Sequence, residues 1–471
     1  MSAQYKLPFF YDYVLPNTVM PNALPPEMGV VNYIHTLYSN RLSTESFFDE
    51  DLDSPQSPMR RMFGDQLGHM PSSIYQNGTH LCSPCFTNVV KIYKDSIYFG
   101  KRRGQNRYIY PIKVTLHFER FTGVDHVGSK LNGEFFWKHI SAEALQDIKS
   151  GKALVFLDWG NESFIDRQTL VDFHYGIKYS GIPKHQIVLA INSFNAKEVY
   201  ESWFTPEERC MEVMNFPFLL SVISWSYNTH LEHVTFDEFF QSEHAHRKNH
   251  FVLPIRRSRG HRLSVLYKLA SDNLLDKGDW SCLEATPWDY GLSRASSYPL
   301  GFDTDKVRQL HEQIPKNLDD EPTTNFDNAM GWTNTAKDPY KNSYLYIASE
   351  TYTHGPYKSL TEKVFKPLGN FQPFVFLAFP GALGTLRSLG FKTFSPFIDE
   401  SYDDEPDQAR RIQMIYSEIK RIASMSKEEI HNWYWSMKDI LCHNHSHLLD
   451  IYKNEKHTQE LVHYLHERTK Y

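Results

Sequence analysis

The chain has 471 residues and a formal net charge of −6 at pH 7. This length is too great for one hydrophobic core, so we expect two domains with extensions. The negative balance does not favour an extended nucleic-acid surface, so no nucleic-acid partner is expected. Five cysteines in a chain of this length argue against a disulfide scaffold and are typical of a reducing compartment.

The first part of the chain gives few structural signals. The N-terminus shows no basic-then-apolar signal pattern, and no stretch approaches the roughly 18 apolar residues of a transmembrane span. We therefore expect a soluble, cytoplasmic protein without a transmembrane segment. Residues 1–108 are rich in Pro, Asn, Ser and Tyr and show no period, which predicts an irregular N-terminal arm.

From residue 109 onward, short apolar runs alternate with amphipathic stretches. The first series predicts strands at 110–118, 153–158 and 186–191, and helices at 165–179 and 196–203. The second series predicts strands at 251–255, 280–284, 344–348 and 374–377, and helices at 263–271, 361–368 and 383–389. The tail is helical from 407, and Ser426 with Glu429 forms a capping box for a further helix.

Strands that alternate with helices imply βαβ units and parallel sheets. Two doubly wound, Rossmann-like domains in tandem, followed by helices, describe the α/β architecture known as GT-B. The predicted divisions are an arm at 1–108, an N-terminal domain at 109–245, a C-terminal domain at 246–425 and C-terminal helices at 426–471.

The most informative segment combines Glu350 with Thr361, Glu362 and Lys363. Thr361 can cap the helix that starts at Glu362, and the positive end of that helix beside Lys363 is an anion site. Glu350 follows an apolar strand, where its carboxylate can accept hydrogen bonds from ribose hydroxyls while Lys363 meets a phosphate. The combination predicts a nucleotide-diphosphate pocket, and hence an enzyme that uses nucleotide sugars.

A second candidate is the basic corner between the strand at 251–255 and the helix that follows it. Arg256, Arg257 and Arg262 lie in this corner. Arginines there can fork onto a diphosphate and neutralise the charge that grows on a leaving nucleotide. The alternative is a solvated basic loop. Lys363 is expected across the same cleft, which favours the phosphate-binding interpretation.

Glu350 followed by Thr361-Glu362-Lys363 resembles the donor-binding signature of the fucosyltransferase-like and exostosin-like GT-B glycosyltransferases. The block from Gly390 to Asp403 is similar to the tails of such enzymes from phages, large viruses and bacteria, and the resemblance covers roughly residues 250–450. It implies that Lys363 and the arginines hold the phosphates of a GDP- or UDP-linked sugar. It also implies that Glu350 or Glu362 contacts the ribose or sugar, with no cofactor besides this donor.

An inverting sugar transferase needs a carboxylate that takes the proton of the acceptor hydroxyl. Asp158 ends an apolar strand of the N-terminal domain, and Glu162 follows on the same loop. Both are candidates for the catalytic base. The alternative is that Asp158, at the strand end, caps the next turn.

The sequence gives little sign of a metal site. His80, Cys82 and Cys85 hint at zinc, but a site needs four ligands and no second cysteine pair is present. No Asp-x-Asp motif follows a strand in the way that metal-dependent sugar transferases usually require. We therefore expect a metal-independent reaction.

These observations predict a hexosyl- or fucosyltransferase-like enzyme. It would move a sugar from a nucleotide-diphosphate sugar to a glycan or another hydroxyl acceptor, with inversion. Two alternatives stay open: a non-catalytic GT-B module that binds a nucleotide or glycan, and a structural or virion interaction protein.

Overall fold

The computed structural model describes residues 7–11, 97–101, 107–113, 142–159, 165–217, 219–220, 223–224, 233–316, 318, 338–451 and 456–470. The chain forms two compact units. The first comprises Met1–Leu219 and Glu455–Tyr471, and the second comprises Leu220–Asn454. None of the helices in the described ranges combines the length and the apolarity needed to cross a bilayer.

A parallel sheet organises the first unit. Its described strands are β1 (Leu7–Tyr11), β2 (Ile97–Lys101), β3 (Tyr108–Lys113), β4 (Ala153–Trp159), β5 (Ile187–Ile191) and β6 (Glu212–Asn215). They lie in the order β2-β1-β3-β4-β5-β6, and every pairing is parallel. All of β5 is buried, as expected for a central strand of a parallel sheet covered on both faces.

The helices of this part of the chain are α1 (Ala142–Lys149), α2 (Arg167–Tyr179) and α3 (Ala196–Trp203). Helix α2 begins where Asp166 accepts a hydrogen bond from the Thr169 backbone N–H at 2.9 Å, which satisfies one donor of the first turn. Helix α3 is capped differently, because Asn215 at the end of β6 accepts from the Lys197 N–H at 2.8 Å. This bond fixes the start of α3 beside the carboxyl end of the sheet.

A second parallel sheet organises the second unit. Its described strands are β7 (Asn249–Ile255), β8 (Gly278–Cys282), β9 (Ser343–Ser349) and β10 (Phe374–Leu377), in the order β10-β9-β7-β8. The chain passes from β7 to β8 on one side and then returns to β9 on the other side of β7. The strand order therefore reverses between β7 and β9. In open parallel sheets, ligands bind beyond the carboxyl ends of the strands at such a point.

Helices cover this sheet on the described part of the chain. They are α4 (Phe236–Gln241), α5 (Gly260–Ser271), α6 (Trp288–Ser296), α7 (Thr304–His311), α8 (Asp338–Lys341), α9 (Glu362–Gly369), α10 (Ala382–Ser388), α11 (Gln408–Ala423), α12 (Lys427–Trp435) and α13 (Lys438–Ile451). The predicted capping box at the start of α12 is present: Glu429 N–H donates to Ser426, and Ser426 N–H donates to Glu429.

The α/β class with parallel sheets is confirmed, and the helix at 196–203 and the strand at 374–377 have their predicted bounds. Other predicted ends shift by a few residues. Strand β3 spans Tyr108–Lys113 instead of 110–118, of which residues 114–118 lie outside the described ranges. Helix α5 begins at Gly260, three residues before its predicted start. This last shift matters for the candidate site.

The division of the chain also differs from the predicted boundaries. The arm predicted as irregular contributes β1 and β2 to the first sheet, and the first unit closes at Leu219 instead of 245. The last helix, α14 (Lys456–Thr469), belongs to the first unit and packs against β1 and β3. The local sequence pattern does not predict that the last helix belongs to the first unit, because tertiary packing decides which element a helix contacts.

Candidate functional site

A cleft of about 270 Å³ opens in the second unit where β7 and β9 end. Its lining comes from the start of α5, the end of α6 and the loop after β9. The lining residues are Arg259, Gly260, His261, Arg294, Ser297, Tyr298, Thr351, Tyr352, Thr353 and His354. The cleft therefore lies at the reversal of strand order between β7 and β9, the usual ligand position in a sheet of this kind.

The charge of this lining is positive. Two guanidinium groups, those of Arg259 and Arg294, line the cleft, and no carboxylate is among the lining residues that the structure describes. Arg259 also holds the N-cap position of α5, a helix of 12 residues. The first N–H groups of a helix lack partners within it and carry the positive end of its dipole. The cleft is thus suited to an anion.

Arg259 has spare hydrogen-bonding capacity. Its guanidinium carbon lies 5.3 Å from the centre of the Tyr352 ring, so an aromatic face supports one side of the group. Its side chain donates no hydrogen bond to a described residue, and because its Nε is buried, the two terminal nitrogens are the ones left for a ligand. A planar cation held in this way can offer two parallel N–H groups to a phosphate.

Gly260 explains how the two arginines come together. A Cβ at this position would lie 2.5 Å from the Arg294 carbonyl oxygen and 3.1 Å from the Tyr298 ring. Only glycine therefore allows the start of α5 to approach the end of α6 this closely. The approach brings Arg259 and Arg294 to the same cleft.

Side chains of α11 hold the loop after β9 through hydrogen bonds. Gln408 donates through Nε2 to Tyr298 Oη at 3.2 Å and also to the Thr353 hydroxyl. Arg411 donates to the Thr353 carbonyl oxygen at 2.5 Å and to the Ala378 carbonyl oxygen at 3.1 Å. The cleft wall is therefore preformed, as small-molecule sites usually are.

Glu350, which the sequence predicts to contact a ribose, accepts hydrogen bonds from Thr361 in the structure. It is 2% exposed, and its two oxygens accept from the Thr361 N–H at 2.8 Å and the Thr361 hydroxyl at 2.6 Å. Burial raises the pKa of Glu350, and the Lys363 ammonium 4.0 Å away opposes that rise. Glu350 thus ties the start of α9 to the end of β9, and its predicted contact with a ribose or sugar stays a prediction.

Replacing Glu350 with alanine should lower the free energy of unfolding by about 1–3 kcal/mol, because the Thr361 donors would lose their acceptor. The raised pKa means that the folded protein binds the proton of the Glu350 carboxyl more tightly than the unfolded chain does. The stability that Glu350 contributes is therefore fully present at low pH and declines as pH rises through the folded pKa. In urea unfolding, Glu350→Ala should lower the free energy of unfolding more at pH 5 than at pH 8.

The control for this variant is Glu428→Ala, which removes a carboxylate whose side chain is 71% exposed and 3.5 Å from His246. An exposed pair of this kind contributes about 0–1 kcal/mol. Equal losses for Glu350→Ala and Glu428→Ala would show that Glu350 does not hold the start of α9.

Lys363 and Glu362 form a close pair at the start of α9. Lys363 Nζ lies 2.7 Å from Glu362 Oε1 and 3.0 Å from Thr361 Oγ1. Burial acts to raise the pKa of Glu362, but the Lys363 ammonium, aided by Lys366, outweighs it and holds that pKa at about 2. Neither side chain is among those that line the cleft. Phosphate binding by Lys363 and sugar binding by Glu362 stay predictions.

The predicted arginines separate into two groups. Arg256 and Arg257 are exposed, and Arg257 lies 3.6 Å from Glu284. Arg262 is 4% exposed and donates to the carbonyl oxygens of Ser349 and Glu350 at 3.1 and 3.0 Å. Its guanidinium therefore joins α5 to the end of β9. The phosphate contacts of all three arginines stay predictions.

The basic corner that the sequence indicated includes Arg259, although only Arg256, Arg257 and Arg262 were named as individual candidates. Arg294 and His354 were not among the candidates. The signal for Arg259 was its place directly before Gly260, the first residue of α5. Arg294 and His354 lie far along the chain and carry no local signal.

The predicted catalytic carboxylates belong to the first unit. Asp158 is the penultimate residue of β4, in register with Lys113 of β3 and Ala190 of β5, so it lies at the carboxyl end of the sheet as predicted. Glu162 lies outside the described residues, as do His80, Cys82 and Cys85. The roles of Asp158 and Glu162 as bases stay predictions. Within the described ranges, no cluster of three or more His, Cys, Asp or Glu is placed to hold a metal ion.

The chain matches no protein-family model and no curated protein. It is similar to a trehalose-6-phosphate protein from E. coli bound with UDP-2-fluoro glucose, with 9% identity, a TM-score of 0.36 and coverage of 81% of this chain and 95% of that one. It is also similar to the N-terminal domain of trehalose-6-phosphate phosphatase from Candida albicans, with 10% identity, a TM-score of 0.37 and coverage of 92% and 81%. MurG from Acinetobacter baumannii shows 11% identity, a TM-score of 0.26 and coverage of 85% and 96%.

Proposed function

We propose that this chain is a glycosyltransferase of GT-B architecture whose cleft in the second unit binds the diphosphate of a nucleotide sugar. One observation carries the proposal. Arg259, Arg294 and the start of α5 converge on a cleft at the reversal of strand order between β7 and β9, and none of the described residues that line it is a carboxylate. That combination of fixed positive groups and position is suited to a nucleotide diphosphate.

The chemistry of the proposed reaction needs little from the protein beyond placement and charge. As the bond from the sugar to the diphosphate breaks, negative charge grows on the departing phosphate oxygens. Guanidinium groups already fixed at the cleft stabilise that charge without reorganising. Arg262, Glu350 and Arg411 would then serve the reaction indirectly, because they hold the elements that carry the cleft residues.

The finer features of the proposal come from the sequence. We expect an inverting, metal-independent transfer to a glycan or another hydroxyl acceptor, with a donor linked to GDP or UDP. The Lys363 ammonium is a further candidate for phosphate binding once it exchanges its partner Glu362 for a ligand. Whether the sugar is a fucose or a hexose depends on contacts of the sugar itself, and the cleft argument concerns only the phosphates.

The test is a thermal-shift series with GDP, UDP, dTDP and CDP, followed by transfer and hydrolysis assays with the matching nucleotide sugars. A ligand that binds only the folded state at a hundred times its Kd stabilises it by about 2.7 kcal/mol. We expect one or two nucleoside diphosphates to raise the Tm, and their sugar conjugates to turn over. Binding without turnover would favour the non-catalytic module, and no shift with any of the four would refute the proposal.

Asp158→Asn should lower the transfer rate by about a hundred- to ten-thousand-fold, the usual contribution of a positioned base. Nucleoside-diphosphate affinity should not change, because a base acts on the transition state and not on the bound donor. Glu162→Gln is the companion variant, since either carboxylate could be the base. Wild-type turnover in both variants would remove both residues from the reaction.

A further inference from the structure

His261 lines the same cleft and has a defined protonation. It is the second residue of α5, it is 5% exposed, and its Nε2 lies 3.0 Å from the Glu350 carbonyl oxygen. A carbonyl oxygen can only accept, so Nε2 must carry the proton and donate it. The other ring nitrogen, Nδ1, is then a bare acceptor.

The bare nitrogen has no partner in the described part of the chain. The hydrogen bond that the His261 side chain makes to a described residue comes from Nε2. Nδ1 is not one of the fully buried polar atoms that lack a partner, so it is open to a ligand. The ring meets Tyr298 edge-on, with centroids 6.4 Å apart, which limits how far it can turn. The cleft therefore presents a fixed, unused acceptor beside its two guanidinium groups.

This acceptor persists at neutral pH. Burial lowers the pKa of His261 to about 3, and the neighbouring Arg262, Arg259 and His354 act in the same direction against the bond to Glu350. The ring is therefore neutral wherever the protein is studied near pH 7.

A bare acceptor beside cations restricts the ligand. The oxygens of a diphosphate linkage carry no proton at neutral pH, so they cannot donate to Nδ1. A hydroxyl group can donate, and the free energy of leaving a buried acceptor unfilled penalises ligands that lack one. The cleft is thus matched to an anion that carries a hydroxyl close to its phosphate.

We propose that His261 Nδ1 accepts a hydrogen bond from a hydroxyl of the ligand, so that the cleft selects phosphorylated polyhydroxyl compounds over bare phosphates. This inference rests on the proposed function, in which the ligand is a nucleotide sugar. The hydroxyl belongs either to the ribose or to the transferred sugar, and binding measurements separate the two.

Two near-isosteric variants divide the roles of the ring nitrogens. His261→Gln retains a donor near the position of Nε2 and loses the acceptor at Nδ1. His261→Asn does the reverse, since its amide oxygen lies near the position of Nδ1. The Glu350 carbonyl oxygen keeps its bond from Arg262 at 3.0 Å in both variants.

Calorimetry is run with the dimethyl diester of pyrophosphate, which carries no hydroxyl and no proton near pH 7, with the nucleoside diphosphate that stabilises the wild-type protein, and with its sugar conjugate. We expect His261→Gln to bind the hydroxyl-bearing ligands about three- to tenfold more weakly, which is the contribution of one neutral hydrogen bond, and to bind the dimethyl diester as the wild-type protein does. His261→Asn should keep the discrimination and show a lower Tm. A loss for both hydroxyl-bearing ligands assigns the ribose hydroxyl, and a loss for the conjugate alone assigns the sugar.

A measurement on the wild-type protein covers the case in which a variant does not fold. With ¹⁵N-histidine labelling, the Nδ1 resonance of His261 should move more when the nucleoside diphosphate or its sugar conjugate binds than when the dimethyl diester of pyrophosphate binds. Equal loss of diester and nucleotide affinity in His261→Gln, or no loss of either, would overturn the inference, as would equal movement of the Nδ1 resonance with all three ligands.

The two proposals fail in distinguishable ways. If no nucleoside diphosphate and no nucleotide sugar binds the wild-type protein, the proposed function is wrong. The His261 comparison is then made with glucose 6-phosphate against methyl phosphate at a mildly alkaline pH, where neither phosphate group carries a proton. Failure of His261→Gln to separate that pair, or binding of neither compound, would overturn the His261 inference as well.

Discussion

Replacing Arg259 and Arg294 together with methionine should weaken nucleoside-diphosphate binding by about two to four orders of magnitude. Each guanidinium is expected to make a charge-assisted hydrogen bond to phosphate, and each such bond contributes about 1.5–3 kcal/mol. The fold should survive, because the Arg259 side chain makes no capping hydrogen bond to α5. Methionine retains an apolar stem and removes the guanidinium groups that lie over the rings of Tyr352 and Tyr290.

The matched control is the double replacement of Arg256 and Arg257 with methionine. It removes the same number of positive charges, but from exposed side chains of the basic corner that do not line the cleft. We expect less than about a tenfold loss, since exposed charges act mainly through screened, long-range attraction. Calorimetry at two salt concentrations separates this long-range contribution to the affinity, which salt screens, from that of direct contacts. A larger loss in the control would move the anion site to the exposed corner that the sequence indicated.

The contrast between Arg259 and Arg262 shows how far sequence patterns reach. The apolar runs of β7 and α5 are strong signals, so the strand, the helix and the basic corner between them were all predicted. The start of the helix was not, because Gly260 is a poor helix former and the residues around it are polar. In the folded chain the Arg294 carbonyl oxygen lies so close to residue 260 that only glycine fits there. Because Arg294 is 34 residues away in sequence, the local pattern around Gly260 does not show this contact.

Glu350 shows a second limit. A carboxylate at the end of a buried strand was correctly placed next to the start of α9. Local pattern could not say that Thr361, eleven residues later, would take both carboxylate oxygens. Burial is decided by how the intervening loop closes over the strand end, and that depends on packing against distant elements. A site residue chosen for its chemistry can therefore become a support.

Arg411 is another residue that holds the cleft in place without lining it; it is 2% exposed and lies in α11. Its guanidinium donates to the carbonyl oxygens of Thr353 at 2.5 Å, Ala378 at 3.1 Å and Glu405 at 2.6 Å. Three segments that are separate in sequence thus meet at one side chain. One of them is the loop that forms a wall of the cleft.

Arg411→Leu should lower the free energy of unfolding by about 3–5 kcal/mol, because buried carbonyl oxygens would lose their donor and no apolar side chain can replace it. Nucleotide affinity should also fall, although Arg411 does not line the cleft, since the Thr353 loop would no longer be held. The adjacent Arg410→Leu is the control: that side chain is 74% exposed and 3.4 Å from Glu405, and its loss should cost about 0–1 kcal/mol. Urea unfolding and calorimetry on both variants decide the matter. Equal midpoints would mean that the loop is held by Gln408 and its own packing, and that the cleft does not depend on Arg411.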